Sequence, residues 1–180
     1  GVMTVTISTS AGTLATKSVT FYDTKPVTIA ATVKKAYILA GGSSISNVFA
    51  VVVKDSAGNA VTNATVTAAP TDALTVVGGA ATCGSYSTTY SAYMCSVSGL
   101  SATKFGKVNY TIKATGADAA ATVVSTTADV TFSAGVAAKI VVAGPVTAEP
   151  GSTATYTMTM TDANGYPVAD QKYGKNTAGN

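Results

Sequence analysis

The sequence predicts an all-β chain, and three observations support that prediction. Stretches of alternating apolar and polar residues, such as residues 156–161, have the period of two that is typical of a half-buried strand. Segments rich in Asp and Gly, such as residues 55–59, interrupt these stretches with turn chemistry. No stretch combines a 3.6-residue period with helix caps, and the many β-branched residues also disfavour helix.

The individual strands follow from β-branched and aromatic residues between the turn signals. Strand-like sequence is already present at residues 2–7. Residues 47–54 end at the turn 55–59, and residues 61–68 follow that turn, so we expect these two segments to form a hairpin. The other candidate strands, in chain order, are residues 36–40, 74–77, 86–97, 108–115, 123–132 and 156–161.

The chain also repeats itself. The alternating strand and turn at residues 49–55 match residues 156–162, which lie 107 positions later. Residues 19–21 match residues 130–132 at an offset of 111, and residues 4–7 resemble residues 109–112. A unit of roughly 105–110 residues therefore repeats. We expect the last strands of one unit in residues 1–24, a complete unit in residues 25–136 and the opening hairpin of a third unit in residues 137–180.

Units of about 100 residues with short strands and frequent turns are typical of an immunoglobulin-like sandwich. The turns that follow the two matching strands, Asp-Ser-Ala-Gly-Asn at Asp55 and Asp-Ala-Asn-Gly at Asp162, resemble those of bacterial immunoglobulin-like repeats. Residues 134–145 resemble the linker into a fresh repeat of that class, which occurs in invasin- and intimin-like adhesins and in surface-layer proteins. The resemblance implies tandem immunoglobulin-like β-sandwiches in an extracellular protein of the bacterial cell surface.

Composition excludes several classes of function. All 11 basic residues are Lys, and the chain has no Arg, His or Trp. Without His there is no imidazole base and no histidine metal ligand, so we expect no enzyme activity and no cofactor. Without Arg, and with a net charge of only +3, we expect no nucleic-acid partner. Polar residues interrupt every apolar run before the roughly 18 residues that a membrane-spanning helix needs, so we expect no membrane span.

The two cysteines and the tyrosines between them form the most distinctive local feature. Cys83 and Cys95 are predicted to form a disulfide that ties a hairpin or long loop, as is common in exported proteins. A metal or redox pair is the alternative, although no His or nearby carboxylate offers further ligands. Tyr86, Tyr90 and Tyr93 lie between the cysteines and form a candidate interaction loop. The alternative is that alternate tyrosines face the core.

Acidic residues near turns and linkers raise the question of calcium. Asp55 and Asp162 lie in Asp- and Gly-containing segments, where an Asp side chain is expected to bond the turn backbone. A complete calcium loop needs several oxygen ligands and a terminal Glu, and the chain has a single Glu. We therefore predict no metal site, with calcium bound between units by Asp23, Asp129 or Glu149 as a minor alternative.

These observations favour a structural function over a chemical one. We expect a piece of a larger surface protein that forms a surface layer or a similar assembly with copies of itself and with neighbouring immunoglobulin-like units. Strand-like sequence at the start, with no signal peptide before it, fits such an internal piece. One alternative is an adhesin that binds a host protein or surface glycan through the tyrosine loop. The other is a phage protein that carries immunoglobulin-like decoration.

Overall fold

The computed structural model of the chain describes residues 2–21, 23–41, 44–71, 79, 81–97, 101 and 103–168. Within those residues the protein is all-β and contains no helix, as predicted. It follows that no helix in the described ranges could cross a membrane. The strands are β1 (Val2–Thr9), β2 (Gly12–Thr20), β3 (Thr28–Val33), β4 (Tyr37–Leu39), β5 (Ile45–Lys54), β6 (Thr65–Pro70), β7 (Ala81–Ser87), β8 (Ala92–Val97), β9 (Gly106–Thr115), β10 (Val123–Ser133), β11 (Lys139–Ala143) and β12 (Thr157–Thr161).

Eight of the strands form one large sheet in the order β3-β5-β8-β7-β6-β9-β10-β4. Among the described residues, β6 and β7 share a single residue pair, Ala68 opposite Ala81, so the sheet divides there into two halves. At the far edges, β4 runs parallel to β10, and β3 also contacts β10. The sheet therefore curls back on itself, an arrangement consistent with a β-sandwich.

The core lies between the two halves of this sheet. Along β9, Val108, Tyr110, Ile112 and Ala114 are buried at every second position, which is the alternation that a half-buried strand requires. The ring of Phe49 on β5 lies 5.2 Å from the ring of Tyr110, centroid to centroid. Since β5 and β9 belong to different halves, this contact shows that the halves pack face to face.

Two local predictions were wrong. The segments around the turn at residues 55–59 do not form a hairpin, because β5 pairs with β3 and β8 whereas β6 pairs with β7 and β9. The segments on the two sides of the turn are joined by one isolated bridge, between Lys54 and Ala60, and the chain then crosses to the other half of the sheet. Residues 86–97 are also not one strand, since a turn at residues 88–91 separates β7 from β8. The predicted strand at residues 74–77 lies outside the described residues.

Two further pairs of strands form small sheets of their own. The strands β1 and β2 pair antiparallel, and so do β11 and β12. All residues of β1, β2 and β11 are exposed, and β12 is exposed over its first three residues. Isolated two-stranded sheets are marginally stable in water. The eight-stranded sheet therefore supplies most of the stability of the molecule.

Candidate functional site

The predicted disulfide is present. Cys83 on β7 lies directly opposite Cys95 on β8 in the antiparallel register, and the two sulfur atoms are bonded. The bond ties the two arms of the β7–β8 hairpin on the core side, where Cys95 is fully buried. It therefore fixes the hairpin that carries all three tyrosines of the predicted interaction loop.

The structure separates these three tyrosines by environment. Tyr93 is 1% exposed, and its hydroxyl donates to the carbonyl oxygen of Val61 at 2.7 Å and accepts from the backbone N–H of Ala64 at 2.9 Å. Tyr86 is half-buried and packs edge-on against Tyr93. Tyr90 lies on the turn and is 59% exposed. The hairpin thus exposes one of its three rings and uses another to hold the connection between β5 and β6.

Asp55 forms the first of two similar turns. Its buried carboxylate accepts from the backbone N–H groups of Ala57 at 2.9 Å and Asn59 at 2.8 Å through Oδ1, as expected for a turn aspartate. Its second oxygen accepts from the backbone N–H of Asp23 at 3.1 Å. This hydrogen bond from Asp23 is the largest cause that lowers the pKa of Asp55, and the bonds from Asn59 and Ala57 lower it further against the opposing effect of burial.

Asp162 forms the second turn with the same pattern. Its Oδ1 accepts from the backbone N–H groups of Asn164 and Tyr166, both at 2.9 Å. Its Oδ2 accepts from the backbone N–H of Ala134 at 2.8 Å. Burial raises the pKa of Asp162, but these three backbone donors outweigh burial, so the pKa is lowered. Gly165 has a φ of 83°, and Gly58 occupies the matching position in the first turn with a φ of 82°.

Each turn therefore holds the segment that leads into its own pair of strands. Asp23 precedes β3, which pairs with β5, the strand that ends just before Asp55. Ala134 precedes β11, which pairs with β12, the strand that ends before Asp162. A second backbone hydrogen bond follows each of these contacts further along the chain. The N–H of Val27 donates to the carbonyl of Lys54 at 2.8 Å, and the N–H of Ala138 donates to the carbonyl of Thr161 at 2.8 Å. We call each set of contacts an aspartate clamp. The first clamp consists of the hydrogen bonds from Asp23 to Asp55 and from Val27 to Lys54, and the second of those from Ala134 to Asp162 and from Ala138 to Thr161.

The first clamp has an additional contact that the sequence did not reveal. Pro26 is buried, and the chain at Thr24 and Pro26 passes so close to Gly116 that a Cβ there would overlap Pro26 Cδ and Asp118 Oδ1. The same Cβ would come within 2.7 Å of the Thr24 carbonyl oxygen. Gly116 follows β9, so the segment that leads into β3, residues 23–27, touches both the turn after β5 and the turn after β9. We call this segment the first linker. Only the absence of a side chain at Gly116 admits this approach.

The paired strands repeat with the offsets of the sequence match. Thr28 pairs with Lys54 in β3–β5, and Lys139 pairs with Thr161 in β11–β12, at offsets of 111 and 107. Met3 pairs with Val19 in β1–β2, and the residues 105 and 111 positions later, Val108 and Val130, pair in β9–β10. Each small sheet therefore has the register of one pair of strands in the large sheet, in β1–β2 up to the register shift after Ile7.

The three calcium candidates lie in different settings. Asp23 accepts a hydrogen bond from the backbone N–H of Lys25 through its side chain, Asp129 pairs with Lys107, and Glu149 is exposed. In the part of the chain that the structure describes, no three Asp, Glu, Cys or His side chains are grouped as metal ligands. The structure does not bring the candidates together.

Comparison with known proteins adds no relative. No protein-family model matches the chain, and neither a curated protein nor a solved structure matches it.

Proposed function

We propose that this chain is a structural part of an extracellular bacterial surface protein, in which immunoglobulin-like β-sandwich units follow one another in tandem. Its role is to hold successive units at a set angle and to assemble with copies of itself into a surface layer or a similar array. The observation that carries this proposal is the pair of aspartate clamps. The same carboxylate geometry occurs twice, each time on the chain that enters a pair of strands.

The strand order supports the immunoglobulin-like unit. Immunoglobulin domains of the constant type have one sheet in the order A-B-E-D and a second sheet made of C, F and G. If β3 to β10 are read as A, A′, B, C, D, E, F and G, the two halves have the orders A-B-E-D and C-F-G, with A′ parallel to G. The matching registers of β1–β2 and β11–β12 support further units on both sides.

The composition supports a mechanical role rather than catalysis. The chain has no His and no Arg, so it offers neither an imidazole base nor a guanidinium for charge stabilisation. The disulfide supports an oxidising location outside the cytoplasm. Two hydrogen bonds and a buried proline at one linker restrict its rotation, so force applied along the chain reaches the sheets directly.

A spin-label distance measurement tests the clamp. Labels at Thr16→Cys on β2 and Thr67→Cys on β6, both exposed positions, report the orientation of the first small sheet relative to the large one. We expect a narrow distance distribution in the parent chain and a broad one after Asp55→Ala or Gly116→Ala. Asp129→Ala is the matched control, because Asp129 lies on β10 and contacts Lys107 and Asn109 rather than the linker. A distribution that is already broad in the parent chain would contradict a fixed joint.

A second candidate function is adhesion through the β7–β8 hairpin. It is favoured by Tyr90, whose ring is exposed on a turn that the disulfide stiffens. An adhesin of this kind would lose binding to its host protein or glycan after Tyr90→Ala, with unchanged unfolding of the large sheet. Equal binding by the parent and the variant on a panel of glycans and host-cell proteins would exclude this hairpin as the adhesive surface.

A further inference from the structure

The sequence contains two Asn-x-Thr motifs, and both lie in the large sheet or next to it. They are Asn63-Ala64-Thr65 and Asn109-Tyr110-Thr111. An Asn-x-Thr motif accepts an N-linked glycan when it lies on the surface of an exported protein. The motif alone also occurs by chance, so the structural setting of each asparagine decides whether it can be modified.

The structure makes Asn109 a poor acceptor. It lies in β9 directly opposite Asp129 of β10, and its side-chain nitrogen donates to the Asp129 carboxylate at 2.8 Å. Its side-chain oxygen accepts from the hydroxyl of Thr71 at 3.3 Å. Within the motif, Tyr110 and Thr111 are paired with β6 on one side and with β10 on the other. A sugar on the Asn109 nitrogen would crowd the Asp129 carboxylate, and the paired strand cannot bend into a transferase.

Asn63 lies in a different setting. The chain crosses from β5 to β6 and bends at Asn63, before β6 begins at Thr65. Asn63 and Thr65 are exposed, whereas Ala64 between them is buried. The asparagine and the threonine of this motif therefore face the solvent on the same side. The amide that accepts a sugar and the hydroxyl that a transferase recognises are both accessible.

Tyr93 holds this bend from the core side. Its hydroxyl donates to the carbonyl oxygen of Val61 and accepts from the backbone N–H of Ala64, so it binds the main chain on both sides of Asn63. Neither hydrogen bond uses the Asn63 side chain. A sugar at Asn63 therefore adds to the outside of the bend and leaves its internal contacts intact.

We propose that Asn63 is an acceptor site for an N-linked glycan. The amide nitrogen of Asn63 forms a bond to the anomeric carbon of an oligosaccharide carried on a lipid diphosphate. The bond from that carbon to the diphosphate breaks, and the lipid diphosphate leaves with the proton that the amide loses. The Cys83–Cys95 disulfide supports an exported protein, which would meet such a donor on its way out of the cell.

The site lies at the end of the large sheet that the first linker contacts. Thr65 pairs with Thr115, which is next to Gly116, and the first linker passes over Gly116. A glycan at Asn63 would therefore add a bulky, hydrated group near the joint. The proposal needs export but not assembly into a layer, so it goes beyond the proposed function and can fail independently of it.

Secretion of the whole 180-residue chain from a eukaryotic host tests the proposal. The secretory pathway of such a host supplies a transferase specific for Asn-x-Ser/Thr and the lipid-linked oligosaccharide. Mass spectrometry of the intact protein and of its peptides then identifies the modified residue. We expect a glycan on Asn63 and none on Asn109. Asn63→Gln removes the acceptor nitrogen and Thr65→Val removes the hydroxyl of the motif, so each should abolish the modification.

Two variants serve as matched controls. Thr67→Val changes the next exposed threonine of β6, outside the motif, and Asn109→Gln removes the other motif, so both should retain the glycan. Urea midpoints equal to that of the parent, measured on protein made without the transferase, show that Asn63→Gln and Thr65→Val fold normally. A parent chain without a glycan, a glycan on Asn109, or a glycan that persists at Asn63 in Thr65→Val would each overturn the proposal. Spin labels report the clamp separately, so a fixed joint without a glycan would refute this site and leave the tandem arrangement standing.

Discussion

The large sheet and the two small sheets use the same strand registers with opposite results for burial. Ile112 on β9 is 0% exposed, whereas Ile7, which occupies the matching position on β1, is 58% exposed. Val51 on β5 is likewise 0% exposed, and its match on β12, Met158, is 55% exposed. The pairing of two strands therefore does not require that either face be covered, whereas burial requires a second, complementary face.

The comparison also locates the stability of the molecule. Burial of apolar surface is the main favourable term in folding, and it is concentrated between the halves of the large sheet. The small sheets contribute hydrogen bonds but little burial. Substitutions at matching positions should thus have unequal effects, and that inequality can be measured.

The largest difference is expected at the aromatic pair of the core. Phe49→Ala removes a buried ring that packs on Tyr110, and a loss of this kind costs about 3–5 kcal/mol in free energy of unfolding. Tyr156→Ala, at the matching position in the small sheet, should change it by less than about 0.5 kcal/mol. Urea unfolding followed by circular dichroism measures both values. Equal effects would mean that the small sheet has a core of its own.

The next difference concerns the tyrosines of the disulfide hairpin. Tyr93→Phe removes a buried hydroxyl and leaves the Val61 carbonyl and the Ala64 N–H without their partner, which costs about 1–3 kcal/mol. Tyr90→Phe is the matched control and should have no measurable effect, because Tyr90 is exposed on the turn. The urea concentrations at which the two variants are half unfolded measure this difference, provided that the free energy of unfolding falls with urea at the same slope in both. A null result for Tyr93→Phe would show that water replaces the hydroxyl.

The sequence predicted strands well and the connections between them poorly. The alternation in residues 123–132 was enough to locate β10, because one face of that strand is buried and the other is not. The turn at Asp55 was also predicted, but its pattern cannot tell whether the next strand pairs with β5 or crosses to the other half. That choice depends on contacts distant in sequence, such as the hydroxyl of Tyr93 on the Val61–Ala64 segment.

The functional residues show the same division. The cysteine pair was predicted from composition and spacing alone, and Asp55 and Asp162 were recognised as turn residues. Their second carboxylate oxygens accept hydrogen bonds from the backbone N–H groups of Asp23 and Ala134, which are 32 and 28 residues away. No local sequence pattern predicts these two contacts. The sequence analysis also did not identify Gly116, because this glycine matters only through its close contact with Pro26, which comes from a distant part of the chain.

Acid should release both clamps, which would remove a feature that the two regions share. The folded-state pKa of each of Asp55 and Asp162 is lowered below the usual aspartate value of about 3.9. Their stabilising contribution is therefore complete above that value and is lost as the pH falls through the folded-state pKa. NMR titration of the Asn59 and Ala134 amide signals, whose N–H groups donate to Asp55 and Asp162, should show shifts with midpoints below 3.9. Asp55→Asn should abolish the titration at Asn59 and leave that at Ala134. Midpoints at the usual value would contradict the hydrogen bonds.

The smallest difference between β9–β10 and β1–β2 is an ion pair on the surface. Lys107 pairs with Asp129, and this contact, followed by the hydrogen bond from Asn109, lowers the pKa of Asp129. The matching residues in β1–β2 are Val2 and Ser18, neither of which is charged. Both members of the pair are substantially exposed, so water and salt screen their attraction. Lys107→Met should change the free energy of unfolding by less than about 0.5 kcal/mol, and the change should shrink further in high salt. A larger loss of unfolding free energy that does not depend on salt would mean that Lys107 stabilises the β9–β10 pair through packing of its aliphatic stem rather than through its charge. The β9–β10 and β1–β2 pairs would then differ in the side-chain contacts of their solvent-exposed faces as well as in burial.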